Sequence, residues 1–205
     1  MKILLADAGK RYNREWIFRH FNYTFELAQS YAIVGPNGSG KSTLLQVLSS
    51  AIQCSEGKIT WSVDEKIIAD ENVFSQVSIC APYLELVEEM TLLEFLDFHQ
   101  QFKKFIAGFD SEKIISILGL EKARDKQIRN FSSGMKQRVK LAQCIFSDVP
   151  VIFLDEPCTN FDQEAVALYQ QLITDHCKKR MVIVSSNDHQ EFDFCKKIIQ
   201  ITDYK

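Results

Sequence analysis

No apolar run in the 205 residues approaches the length needed to cross a bilayer. Any role at a membrane is therefore expected to run through a partner. The opening stretch, MKILLADAGKRY, holds only a short apolar segment before Asp7, too little for a secretion leader. Basic charge is not in excess, with 24 Lys and Arg against 27 Asp and Glu for a net charge of −3. That balance argues against a general nucleic-acid binder, so no nucleic acid is expected as a partner. The six cysteines form no C-x-x-C pair, and several sit inside apolar runs. They read as reduced thiols acting as small hydrophobes rather than as a disulfide frame or a zinc site. Repeats, low-complexity tracts and linkers are likewise missing, which leaves one domain, or one core with a sub-domain. Glycine is sparse at 8 residues, yet three of them fall within six positions, Gly35, Gly38 and Gly40.

Those glycines belong to Gly35-Pro36-Asn37-Gly38-Ser39-Gly40-Lys41-Ser42-Thr43, GPNGSGKST. The motif follows the apolar run Tyr31–Val34 and opens a segment, Leu44 to Leu48, with helical spacing. A phosphate-binding P-loop needs this strand–loop–helix context. The glycines free the backbone to turn successive N–H groups onto phosphate oxygens, and the helix adds its positive end at the same place. Lys41 reaches the β- and γ-phosphates as a point charge, and Ser42 offers its hydroxyl to Mg²⁺. The site is one for a nucleoside triphosphate.

Along the chain, residues 2–34 read as a β-rich start containing the aromatic, basic segment Lys10–Trp16. Tyr12 or Trp16 could stack on a base there, or could simply pack. Gly57–Val63 and Val77–Ala81 read as strands, the second stopped by Pro82. A helical block follows. Thr91-Leu92-Leu93-Glu94 is a capping box, and Leu92, Phe95, Leu96, Phe98, Phe102 and Phe105 continue at helical spacing as an expected core stripe. Asp110 or Ser111 caps the next helix, and Ser132 the one after, whose apolar face is Met135, Val139, Ala142, Ile145 and Phe146. Val149–Leu154 is a near-continuous apolar run suited to a buried parallel strand. The alternation predicts an α/β fold: a parallel sheet flanked by helices, a small antiparallel part at the N-terminus, and an inserted helical sub-domain. The expected core is 1–84 with 147–205, and the helical insert about 85–146.

The run VIFLDEP, 151–157, puts two carboxylates at the C-terminal end of that strand, where open α/β sheets bind ligands. Asp155 is placed to hold Mg²⁺ beside Ser42, and Glu156 to orient and deprotonate the attacking water.

GPNGSGKST, then FSSGMKQR (131–138), then VIFLDEP with Thr159-Asn160-Phe161-Asp162 just after, occur in the order found in ATP-binding cassette (ABC) ATPases. The chain resembles the nucleotide-binding subunits of ABC transporters over essentially its whole length. The resemblance implies ATP and Mg²⁺ as cofactors and a second ABC ATPase subunit, of the same or a different chain, as partner. ATP would lie between the P-loop of one subunit and Ser132, Ser133, Gly134 and Met135 of the other, head to tail. It further implies that Tyr12 stacks on adenine, that Asp162 couples the two sites, and that the helical sub-domain docks on a transmembrane permease. Such a subunit would be cytoplasmic and peripheral on the inner face of the cell membrane. The SSGMKQR form is nearer to exporter-type than to importer-type signatures. An alternative from another class is a soluble ABC ATPase of DNA repair or translation, which would carry a coiled-coil insertion or a second cassette.

Three positions depart from the family pattern. Pro82 stands where the family usually has a Gln that senses Mg²⁺ and the γ-phosphate, and it cannot coordinate through its side chain. Asn187 stands where a His usually contacts the γ-phosphate, with His189 two residues on; an amide can hydrogen-bond but carries no charge. Ser133 replaces the first signature glycine. With Lys41, Ser42, Asp155 and Glu156 all present, hydrolysis is expected to be slow but real.

Overall fold

The computed structural model describes residues 1–205. Nine strands form two sheets. β1 (Lys2–Tyr12), β2 (Glu15–Glu26), β4 (Glu56–Val63) and β5 (Lys66–Ile68) make an antiparallel sheet in the order β2-β1-β4-β5. β3 (Ser30–Val34), β6 (Val77–Cys80), β7 (Val151–Asp155), β8 (Met181–Ser185) and β9 (Lys197–Gln200) make a parallel sheet in the order β6-β7-β8-β3-β9. The antiparallel pair β1–β2 is much longer than its sequence suggests, because the polar breaks are absorbed as bulges: the register slips between Leu5 and Ala8 and again near Lys10.

Period-two alternation gives the parallel sheet two buried faces. Ala32, Val34, Cys80, Ile152, Leu154, Val182 and Val184 belong to a core shared with the helices between β6 and β7. Tyr31, Ile33, Val151, Phe153, Met181 and Ile183 face the opposite core, closed by α1 (Lys41–Leu48) and the antiparallel sheet. Each fully buried Val, Leu, Ile, Met or Phe among them contributes about 1.5–3 kcal/mol on leaving water. Trp61, fully buried on β4, donates its indole N–H to Leu48 O at 3.0 Å and so ties the antiparallel sheet to the end of α1.

Between β6 and β7 lie α2 (Leu92–Phe102), α3 (Ser111–Ile117) and α4 (Ser133–Phe146); α5 (Gln163–His176) follows β7. The capping box is complete, with Thr91 Oγ1 accepting from Glu94 N and the Glu94 carboxylate accepting from Thr91 N. Asp110, not Ser111, caps α3. The aromatic stripe is only partly core: Phe95 is buried, but Phe98 is 43% and Phe102 73% exposed. Those two rings meet each other edge-on at 5.0 Å on the exposed face of α2, whose buried residues are Leu92, Phe95 and Leu96. No helix is long and apolar enough to cross a membrane.

Candidate functional site

The site is built at the C-terminal edge of the parallel sheet, from the loops that leave β3, β7 and β8. Parallel register aligns Ile33 with Ser185 and Ser185 with Asp155, one row across three strands. At one strand spacing per step, Asp155 lies about 10 Å across the sheet from the strand that launches the P-loop. α1, which follows the P-loop, packs against both β7 and β8.

The P-loop runs from Gly35 into α1, whose N-cap is Gly40 at φ +103°. A Cβ there would lie 2.2 Å from Ile17 Cγ2, so both torsion and space demand glycine. Lys41 is buried and donates to Gly35 O at 2.8 Å and Pro36 O at 3.3 Å, folded along its own loop. Asn187, on the loop after β8, clasps the P-loop from the other side. Its Oδ1 accepts from Gly35 N at 3.3 Å and its Nδ2 donates to Asn37 Oδ1 at 3.0 Å. Asn37, Gly38, Gly40, Lys41, Ser42, Thr43, Glu156 and Ile17 together line a cleft of about 220 Å³.

Asp155 ends β7 at 2% exposure, and its Oδ1 has no hydrogen-bond partner. Five buried side-chain polar atoms in the chain are orphaned in this way, and three of them, Ser39 Oγ, Asp155 Oδ1 and Ser185 Oγ, belong to this edge. Buried polar atoms are normally satisfied, so the concentration marks a place prepared for a polar ligand. The unpaired Asp155 carboxylate oxygen and the Ser42 hydroxyl of the cleft are oxygen donors of the kind a hard cation such as Mg²⁺ accepts. Glu156 is exposed, lines the cleft, and holds a left-handed φ of +43°. Such a torsion on a non-glycine residue costs on the order of 1–3 kcal/mol and persists only where its surroundings enforce it.

The family description "ABC transporter" matches residues 18–159. The ABC transporter ATP-binding protein YybJ of Bacillus subtilis is 31% identical over 92% of this chain and 86% of its own length. The chain belongs to the ABC transporter family. It is an ATP-binding cassette ATPase. The cytochrome c biogenesis ATP-binding export protein CcmA of Vibrio cholerae is 28% identical over 85% of this chain and 84% of its own. Among solved structures, a putative ABC transporter ATP-binding protein from Pyrococcus furiosus has the same fold, at TM-score 0.82 and 20% identity with full coverage of both chains. So does the ATP-binding cassette MJ0796 in a dimeric post-hydrolysis state with ADP and Pi, at TM-score 0.81 and 21% identity over 97% of this chain and 94% of that one.

In this ABC ATPase the signature residues lie apart from the P-loop cleft. Ser132 caps α4, its Oγ accepting from Met135 N at 3.2 Å, so Ser133, Gly134 and Met135 form an exposed or half-exposed first helical turn. Asp162 caps α5 through Ala165 N at 2.8 Å. Tyr12 is 48% exposed at the tip of the β1–β2 hairpin and does not line the cleft, where Ile17 stands instead. Trp16 is held between guanidinium groups, with Arg19 4.5 Å and Arg11 5.3 Å from its ring. Pro82 lies in the turn after β6, its carbonyl accepting from Lys140 Nζ at 3.1 Å. His189 packs against Phe192, ring centroids 5.2 Å apart.

Sequence reasoning passed over Ile17, Gln137 and Glu191. Gln137 is 5% exposed and donates to Pro157 O at 2.8 Å; Glu191 is 4% exposed and accepts from Cys158 N at 2.7 Å. Burial raises the carboxyl pKa of Glu191 above its ordinary value, against the hydrogen bonds that favour its charge. A signal existed for Gln137, a polar residue on the helical face carrying Leu141, Cys144 and Ile145. Nothing comparable marked Ile17 or Glu191.

Proposed function

We propose that the chain is the ATP-hydrolysing subunit of a transporter, that it dimerises head to tail around ATP, and that it powers a separate membrane permease. The observation that carries this reading is the cleft that Lys41, Ser42 and the strained Glu156 line together, with the orphaned Asp155 Oδ1 one residue before Glu156 at the end of β7. The glycine-rich loop and the start of α1 bind the β- and γ-phosphates, and Lys41 swings from its own carbonyls onto them. Ser42 and Asp155 would hold Mg²⁺, which neutralises developing phosphate charge when bound. Glu156 takes a proton from the attacking water, positioned from the mouth of the cleft. Ser132 to Met135 of a second subunit close the site with a second positive helix end, and Asp162 lies between the sites. Tyr12 is assigned to the adenine and Asn187 to the phosphate end. The core is 1–84 with 147–205, and the helical sub-domain, about 85–146, faces the permease at the inner face of the membrane.

Relatives named for export, such as CcmA, support an exporter over an importer. The reading as a soluble repair or translation ATPase is less favoured, since α2, α3 and α4 are short and form no coiled-coil insertion. The test is twofold. ATP turnover by the purified protein should be slow yet exceed that of Glu156→Gln; equal rates would overturn the assignment of the base. Cell fractionation should recover the protein with membranes and a multi-span partner, and recovery wholly in the soluble fraction would overturn the transporter reading.

A further inference from the structure

Glu156 and Asn160 both hold left-handed torsions, at φ +43° and +65°, and so bound a five-residue strap leading from β7 toward Asp162. Inside the strap, Thr159 N and Oγ1 donate to Glu156 O at 3.2 and 2.9 Å. Its outer face is gripped by two side chains from different parts of the chain. Glu191, on the turn after β8, accepts from Cys158 N at 2.7 Å. Gln137, on α4, donates to Pro157 O at 2.8 Å. The same helix meets the far end of the strap at Gly134, where a Cβ would lie 3.4 Å from Asn160 O.

We propose that Gln137 is a positioning residue for Glu156, one that transmits the state of the α4 N-terminal turn to the general base. This rests on the function proposed above. In the head-to-tail dimer, Ser132 to Met135 touch the nucleotide held by the partner, while the strap carries the base for the subunit's own nucleotide. Gln137 lies just past Met135 on one rigid helix, so a shift of that turn moves the Gln137 amide and, through Pro157 O, the peptide next to Glu156. A strained torsion is held only as firmly as the bonds around it, and a buried amide donor is directional. One side chain thereby links two ATP sites.

The test uses full-length protein carrying Gln137→Met, which keeps volume and flexibility but removes the donor. ATP turnover should fall about tenfold or more, while affinity for a fluorescent ATP analogue, measured with Glu156→Gln also present, changes less than about twofold. Hydrogen exchange at 158–161 should slow when ATP is added to Glu156→Gln, and this slowing should disappear once Gln137→Met is added. Val139→Ala, on the same helix but away from the strap, should lower the melting temperature and leave both readouts intact. If Gln137→Met fails to fold, Gln137→Asn, which keeps the amide one methylene short, carries the same measurements. Turnover and ATP-induced protection like those of Val139→Ala would overturn the inference alone. Wild-type turnover no higher than Glu156→Gln would overturn the functional reading and the inference with it.

Discussion

Gly40→Ala tests how the P-loop is held open. The added methyl meets two independent penalties. Its backbone would keep φ +103°, a torsion that costs an L-residue about 1–3 kcal/mol. Its Cβ would also fall 2.2 Å from Ile17 Cγ2, an overlap that forces a shift typically worth about 1–3 kcal/mol. The sum is about 2–6 kcal/mol, divided between global stability and the loop's phosphate-binding shape. Ile17 is only half-buried on β2, so part of the clash can relax by moving its side chain outward. The informative experiment is a double-mutant cycle with Ile17→Ala, which removes the clashing Cγ2 but leaves the torsion. Urea denaturation and ATP affinity would be measured for the four proteins. Gly40→Ala should lower ATP affinity at least about tenfold, or about 1.4 kcal/mol. Adding Ile17→Ala should recover about 1–2 kcal/mol of the total relative to simple additivity. Wild-type affinity and stability in Gly40→Ala, or strict additivity in the cycle, would refute the reasoning.

Asp155→Asn keeps shape while removing the charge of the buried, unpaired carboxylate, and should raise the Mg²⁺ needed for half-maximal turnover by about tenfold, or about 1.4 kcal/mol; ATP binding in EDTA should stay within about twofold. His99 has its pKa pushed down to about 4 by burial, with Lys103 adding to the effect. Because the folded value lies below the ordinary 6.5, the neutral form is the native one, and stability present above pH 6.5 is lost as pH falls toward 4. Urea melts of His99→Gln should show a weaker loss across that window than wild type. Ser132→Ala removes the α4 cap and should cost about 1 kcal/mol in urea melts, with a larger fall in turnover if Ser132 also meets the partner's nucleotide. Asn187→Ala unclasps Gly35 N and Asn37, and isothermal titration should show ATP affinity reduced about three- to tenfold, the equivalent of one ordinary hydrogen bond.

The parallel sheet and its motifs were legible because each is a local pattern. Val151–Leu154 is apolar without alternation, which only a strand buried on both faces requires, and every residue of β7 is buried. Thr91 and Glu94 cap as their spacing dictates. The failures share another cause: they depend on which neighbour a residue meets. Phe98 and Phe102 have the same spacing as buried Phe95, and only the packing of α2 against α3 decides which face is covered. Polar residues inside β1 and β2 look like breaks but sit at register shifts of one long hairpin, with Asp7 and His20 taking left-handed torsions, as Asn13 does in the turn between the strands. At the cleft, Gly38, Gly40, Lys41, Ser42 and Glu156 stand on two motifs, GPNGSGKST and VIFLDEP, whose patterns are local. Ile17 and Glu191 could not be read in this way, because each reaches the site from a segment with no motif of its own.

The distribution of bonds at the site also separates binding from turnover. Every residue of β7 is buried; Val151 to Leu154 pair with β6 and β8, and Asp155 with Ser185 of β8, so the backbone at Asp155 is held by the sheet. The P-loop is similarly fixed, by α1 on one side and Asn187 on the other. Glu156 is the exception. Its amide is tied to Ser185 O, but the chain beyond it depends on Gln137 and Glu191, one from the helical block and one from the turn after β8. Substitutions in the sheet or the P-loop should therefore change nucleotide affinity and stability together. Substitutions around the strap should change the rate with affinity nearly constant. If the strap sets the position of Glu156 as proposed, a change there should reach turnover without passing through the residues that hold the P-loop.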